Sequence, residues 1–398
     1  MMIKNNLQQI KRIQAGFSLI EVMVAIAIGM LITAALFTLF VNVNRTNTEM
    51  EKSNSQIENG RFAIQLIQND LIHAGYWGGY IPKYDNLSYD TAAPDDYPSA
   101  IPDPCLAFVS WNAAYKNNLI GLPVQAYSTA PSTCASVVTN QKSNTDMLVI
   151  RHAANCIAGT SATAGDCEAY NANKLYFQSS LCKTEDQNTY ILATSGFSLH
   201  KKDCATTADL RKFVSSIYYV RDYTKTVGDG IPTLMRSSFD YAAGSLAHQA
   251  PQALIDGIEG FHIEYGIDRI GSTGIDIISD ATAANQYTAA IKWADSSTMA
   301  SAVNRGDGIP DGLYVPCGST SGCTAAAHAN VSVAQLTHAV AARIYVLARN
   351  TTETTGYTDT KTYQLGSVTL GPFNDHFKRH LFSTTVRFVN ISGRREVP

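Results

Sequence analysis

Residues 17–41, FSLIEVMVAIAIGMLITAALFTLFV, constrain this chain more than any other segment: twenty-five residues, all apolar or small except one carboxylate, Glu21. As a helix they rise about 1.5 Å each, roughly 37 Å in all, enough to cross a hydrocarbon core of about 30 Å with some tilt. The run exceeds the roughly 7–15-residue apolar core of a cleaved secretory signal, and no small-residue cleavage site follows it. Val41 leads instead into the polar NVNRTNTEMEKSNSQ, so the sequence predicts a span that is retained. Lys4, Lys11 and Arg12 precede it with no acid among the first sixteen residues. That bias keeps the leader cytoplasmic and sends the rest of the chain across.

Glu21 is the anomaly. An acidic side chain at the centre of a span costs about 2.5–3.5 kcal/mol on insertion scales, less near an end, and such residues are usually paired. The nearest fixed cation is Arg12, well outside the apolar run. Cleavage between Gly16 and Phe17 would create a closer one, an α-amine one helical turn from Glu21 at the same depth. GFSLIEVMVAI resembles the type IV prepilin signature: a short basic leader ending in Gly16, aromatic Phe17 as the first mature residue, Glu21 as the fifth, then an uncut apolar helix. The resemblance implies a prepilin peptidase that cuts after Gly16 and methylates the Phe17 amine. It also implies that Glu21 meets the terminal amine of a neighbouring subunit when the helix enters a filament. The blander alternative is a single-pass anchor in which Glu21 is simply protonated.

No proline occurs before Pro82, and Ile57, Gly60, Ile64, Ile67, Leu71 and Ala74 recur at heptad-like spacing, which predicts one helix to about residue 80 with an amphipathic second half. Major pilins often carry a proline where Thr38 stands here, a departure from their pattern. With 398 residues, 45% hydrophobic and 16% charged, the remainder buries a sizeable core and is not disordered. The formal charge of −3 becomes −6 once the leader's three cations are removed, which argues against a nucleic-acid partner. Lys378, Arg379, Arg387, Arg394 and Arg395 gather near the C-terminus and read as a solvated edge or a subunit contact.

All eight cysteines (Cys105, Cys134, Cys156, Cys167, Cys182, Cys204, Cys317 and Cys323) lie beyond the span, on the side where oxidation is the default, and read as disulfides. No C-x-x-C occurs. Sequential pairing, 105 with 134, 156 with 167, 182 with 204 and 317 with 323, is the simplest arrangement among many. Strand signals follow the helix: DMLVIRH (146–152), TYILAT (189–194), FVSSIYYVRDY (213–223), GFHIEYGID (260–268), AVAARIYVLAR (339–349) and FSTTVRFVNI (382–391). In GFHIEYGID, Phe261, Ile263, Tyr265 and Ile267 face one way, His262 and Glu264 the other. The predicted fold is α+β: a long N-terminal helix packed on an antiparallel β-sheet head with disulfide-pinned loop insertions.

RFAIQLIQNDLIHAGYWGG, VRDYTKTVGDGIPTLMR, IEGFHIEYGID and FKRHLFSTTVRFVNISGRRE are similar to PilW-type minor pilins. The insertions around 84–140, 156–186 and 315–335 match no motif. The resemblance implies a leader (1–16), a pilin helix (17–80, transmembrane over about 17–41) and a periplasmic β-rich head (81–398). It implies pilus assembly within an inner-membrane priming complex and at the pilus tip. The implied partners are prepilin peptidase, other minor pilins, the major pilin, the inner-membrane assembly platform and a tip adhesin. A type II secretion pseudopilin of the J kind and an anchored adhesive protein are the alternatives.

An enzyme is not expected, and neither is a cofactor: G-x-S-x-G, H-E-x-x-H and the P-loop pattern are all missing. Asp375, His376 and His380 have metal-ligand spacing only on a helix, and the run leads into a strand. NRGDGIPDG (304–312) offers Asp307 and Asp311 as weak calcium candidates around Gly308, but Val303 and Arg305 stand where such loops place carboxylates. A second GDGIP at 228–232 favours turn chemistry for both.

Overall fold

The computed structural model describes residues 16–85, 96–159, 168–185, 189–270, 306–316 and 333–395. Two compact units divide the chain, residues 1–53 and 54–398.

Helix α1 (Leu19–His73) runs for 55 residues, as the uninterrupted absence of proline allows. In the first unit, every side chain from residue 16 to residue 48 is exposed. The hydroxyls of Thr33 and Thr38 donate back to Gly29 O (2.8 Å) and Ala34 O (2.9 Å), so the polar groups of the apolar run are satisfied within the helix. Lipid demands this of any spanning segment.

In the second unit α1 buries Gln56, Gly60, Ala63, Ile67 and Leu71. This stripe is offset from the apolar one the sequence suggests: Ile57 and Ile64 are only half-buried, whereas Gln56 and Ala63 face inward. Polar and steric fit decide the offset. Gln56 Nε2 donates to Ala348 O (2.7 Å) and Lys378 O (3.1 Å), and a Cβ at Gly60 would lie 2.1 Å from the ring of Phe382. The helix stops because Gly75 takes a φ of +72° and turns its N–H to Arg151 O (3.1 Å).

The larger sheet contains β1 (Val124–Tyr127), β2 (Met147–Ala153), β3 (Tyr176–Ser179), β4 (Tyr190–Ala193), β5 (Arg211–Arg221), β6 (Thr233–Ala242), β7 (Ser245–His248) and β8 (Gln252–Asp256). Its order is β1-β2-β5-β3-β4, with β6 also pairing β5, β7 and β8. The second sheet joins β9 (Ile258–Ile267), β10 (Val315–Pro316), β11 (Ala339–Arg349) and, after the hairpin β12 (Tyr363–Leu365) and β13 (Val368–Leu370), β14 (Arg379–Arg387), in the order β10-β9-β11-β14. The named strand pairs are antiparallel. Ala63, Ile67 and Leu71 of α1 share one hydrophobic core with Leu148 and Ile150 of β2, Tyr218 and Val220 of β5, and Ile263 and Ile344 of the second sheet.

The structure departs from the strand pattern in two places. FSTTVRFVNI does not stay extended to Ile391: β14 ends at Arg387 and residues Val389–Ser392 form a helical turn. Helix α2 (Ala113–Gly121) forms inside the 84–140 insertion, where Asn112 Oδ1 caps it by accepting Tyr115 N–H at 2.8 Å.

Candidate functional site

The apolar half of α1 meets the length and composition needed to cross a membrane. Gly16, Phe17 and Ser18 precede the helix in non-helical conformation, and Phe17 is 87% exposed. The Gly16–Phe17 bond is therefore free of helical hydrogen bonding. Ser18 and Glu21 close the helix start reciprocally: Ser18 N–H donates to Glu21 Oε2 (2.9 Å), and Glu21 N–H donates to Ser18 Oγ (3.2 Å). This is a capping box, which satisfies two of the backbone donors orphaned at a helix start. The S-x-x-E spacing would have revealed it. Glu21 thus has a local role alongside any partner it meets in a filament.

At the other end of α1 the C-terminal tail forms a clasp. Asn390 Nδ2 donates to Ile72 O (3.1 Å) and Ala74 O (3.2 Å), carbonyls at the end of the helix. Arg394 pairs with Asp85 (3.1 Å) and reaches Gly75 O (3.4 Å). Arg395 is fully buried, donating to Asp85 Oδ1 (3.0 Å), Thr337 O (2.8 Å) and His338 Nδ1 (2.8 Å), with Asp268 Oδ2 at 3.6 Å. Burial, then the Arg395 charge, pushes the His338 imidazole well below its ordinary pKa, so it is neutral and accepts. Burial also raises the Asp268 carboxyl to about 6, with Arg395 and the Gly308 amide working against the rise.

The basic cluster is consequently not a solvated edge throughout. Besides Arg395, the Arg379 guanidinium is buried, within 2.5 Å of Glu259 Oε2, 2.9 Å of Asp359 Oδ2 and 2.5 Å of Asp375 Oδ2, with its carbon 3.7 Å from the Phe373 ring centre. Burial disfavours its charge, but hydrogen bonds to Asp375 and Glu259 outweigh that and hold its pKa above the ordinary value. Of the four arginines and one lysine in this cluster, only Arg387 is clearly exposed. Arg379 is the reason Asp375 belongs to no metal site: both its oxygens are taken. His376 bonds Tyr357 O, and His380 packs against Phe382.

His262 and Glu264 likewise lie inside the protein, because β9 is buried along its whole length. His262 Nδ1 is 2.7 Å from Asp146 Oδ2, and Nε2 is 3.3 Å from Ser367 Oγ on the β12–β13 turn. A Ser–His–Asp alignment results, which no local sequence motif announces. Its surroundings do not suit acyl transfer, which needs donors aimed at a developing oxyanion. Ser367 N–H instead donates to Glu264 Oε1 at 2.7 Å, placing a carboxylate beside the hydroxyl. Tyr345 Oη donates to the same carboxylate (3.2 Å), so the network ties the hairpin to the sheet.

Among the described residues Cys105 is bridged to Cys134 and Cys182 to Cys204, closing separations of 29 and 22 residues. Cys156 is also disulfide-bonded. Cys167, Cys317 and Cys323 fall outside the described residues, as do the leader cations Lys4, Lys11 and Arg12. Asp307 and Asp311 are spent on backbone amides: Asp307 Oδ1 accepts Ile309 N–H, and Asp311 Oδ2 accepts those of Arg269 and Ile270. No group of three or more His, Cys, Asp or Glu able to hold a metal occurs among the described residues.

Residues 11–37 match the prokaryotic N-terminal methylation motif, and residues 217–390 match the family described as type IV pilus-assembly protein W, PilW. No curated protein and no solved structure matches the chain. A class III signal motif on a long apolar helix ahead of an antiparallel β head is a pilin-like arrangement. The second match, over the C-terminal part of the chain, is to PilW, a family of structural and assembly proteins of the type IV pilus, and the chain resembles a PilW-type minor pilin there. The matched region begins within β5 and takes in the second sheet, the Arg379 network and Asn390 of the clasp. Of the three motif-poor insertions, 84–140 and 156–186 lie outside it.

Proposed function

We propose that this minor pilin acts at the start of pilus assembly, in an inner-membrane priming complex with other minor pilins, and stays at or near the tip of the finished fibre. The observation that carries this reading is the segment Gly16–Glu21: an exposed Gly16–Phe17 bond outside, and immediately before, a capped apolar helix. Prepilin peptidase cuts there and methylates the Phe17 amine, leaving mature residues 17–398 with a helix reaching into the 70s and a periplasmic head. Removal of the leader exposes an ammonium group at the depth of Glu21. Oε2 of Glu21 is used in the cap, and Oε1, which has no partner among the described residues, is available to a neighbour's amine. The major pilin, the inner-membrane platform and a tip adhesin complete the partners, and the head is bulky enough that a fibre end accommodates it better than repeated positions along the shaft.

Glu21→Val provides the test. It preserves the apolar run, so membrane insertion and leader removal are expected to be unchanged. Recovery of other minor pilins with the variant is expected to fall at least several-fold, and surface pili to become fewer. Wild-type recovery together with wild-type pilus number would defeat the proposal. A chain that keeps its first sixteen residues in cells with active peptidase would defeat it earlier.

A further inference from the structure

Arg151, in the middle of β2, is among the largest fully buried side chains, 1% exposed. Its backbone is fully used: N–H donates to Pro123 O (2.8 Å), and O accepts from Gly75 (3.1 Å). Its guanidinium makes a single hydrogen bond, from Nη1 to Leu122 O at 3.1 Å, just past the C-terminal end of α2. Nη2 is buried with no hydrogen-bond partner among the described residues, and the one carboxylate whose charge favours the group, Asp103, makes no ion pair with it there. Arg379 and Arg395 show the contrast: each is as deeply buried, and each is ringed by carboxylates. Burial lowers the Arg151 pKa, yet a guanidinium keeps its proton at any physiological pH. A buried charge without a direct ionic partner costs several kcal/mol, more than the partial negative charge of a helix end returns, and Asp103 offsets it only at a distance.

The sheet register shows what surrounds it. Ser215 lies opposite Arg151 on β5, and Gln125 lies opposite Val149, which shares Arg151's face of β2. Ser215 Oγ is 3.4 Å from His248 Nε2, and Ser237 Oγ is 3.5 Å from His248 Nδ1. Burial, reinforced by the Arg151 charge, pushes His248 down to about 3, so this imidazole is neutral. Gln125 Nε2 donates to Pro102 O (3.2 Å), while its Oε1 is a second buried atom without a partner. The result is a polar strip under the 97–121 segment carrying one formal positive charge, with hydroxyls beside it.

We propose that this strip binds a small monovalent anion of chloride size, held by Arg151 Nη2 with the Ser215 hydroxyl as a second donor. The burial of Arg151, Gln125, Ser215 and Ser237 restricts the ligand to a monatomic or similarly compact anion. The competing occupant is a water bridging Arg151 Nη2 to Gln125 Oε1, a combination that satisfies both atoms but leaves the charge.

The test uses full-length protein in detergent, melted in sodium chloride, sodium bromide and sodium gluconate at constant ionic strength. Chloride and bromide are expected to raise Tm by a few degrees along a saturating curve, gluconate to do nothing, and Arg151→Met to lose the halide response. Identical curves in the three salts would overturn the proposal, as would a halide response that survives in Arg151→Met. If that variant does not fold, crystals of the wild-type protein in bromide decide: an anomalous peak within hydrogen-bonding reach of Arg151 Nη2 supports the site, and its absence there rejects it.

Discussion

The two halves of helix α1 obey opposite rules. Residues 19–41 are almost all apolar and none of them is buried, whereas residues 54–73 are rich in polar groups and bury five residues, of which one is glutamine and one glycine. In the first half hydrophobicity is the specification: any combination of large aliphatic residues makes a span, and the few hydroxyls turn back onto their own helix. In the second half position is the specification. A glutamine that reaches two carbonyls and a glycine that admits an aromatic ring do more than the isoleucines next to them. Burial therefore follows fit in the head and composition in the span.

Three substitutions or conditions would break or sharpen that contrast. The largest effect is expected for Arg395→Met, which leaves Asp268 buried without the cation beside it and Asp85 with Arg394 alone. Removing one partner of a buried pair costs about 3–5 kcal/mol, so the melting transition should drop steeply, while Arg387→Met, at an exposed site, should move it little. Equal Tm values for the two variants would mean that the clasp is not what secures the helix end.

The second effect is a pH dependence. With its folded-state pKa near 6, above the ordinary 3.8, Asp268 binds a proton more readily folded than unfolded. Its contribution to stability is therefore greatest below about pH 4, declines as pH rises towards 6 and is constant above, by at most about 3 kcal/mol. The paired carboxylate Asp375, held below its ordinary value chiefly by its hydrogen bond to Arg379, has the opposite sign and loses stability as pH falls. Melting wild type and Asp268→Asn at pH 4.5 and pH 7 isolates the first group. The Asn variant should lack the part of the slope in which acid stabilises, and parallel slopes would refute the assignment.

The smallest effect is expected for Gln56→Leu. By composition it makes the helix more apolar, yet it strips donors from Ala348 O and Lys378 O and should cost about 1–3 kcal/mol. Met30→Leu, an equally conservative change in the apolar half, should leave Tm within error. A stabilised Gln56→Leu variant would show that the second half follows the same rule as the first.

Much of this was legible in one dimension. The long helix, the signal at Gly16–Phe17, the strand runs around 147–153, 211–221, 258–267 and 339–349, and the antiparallel head all follow from patterns of period and composition. The capping box was equally legible, because Ser18 and Glu21 are three residues apart. Other features were not. His262 meets Asp146 across 116 residues and Ser367 across 105, so no window of sequence contains the network. Arg379 and Arg395 look like neighbours of Arg387 on a basic edge, and nothing local says that two of the three turn inward. Helix α2 was hidden because it is short and lies in a loop-like insertion, with Asn112 as its one local signal.

The sequence by itself determined that this protein has an N-terminal methylation motif, a membrane-length helix and a β-rich domain with cysteines, since those depend on hydrophobic runs, strand periodicity and short-range spacing. Tertiary structure alone decided which face of α1 turns inward, which charges are buried and which carbonyls the C-terminal tail caps. The physical reason is range. Hydrophobic transfer and backbone preference act residue by residue, whereas a buried charge or amide is tolerated only where groups distant in the chain converge to satisfy it.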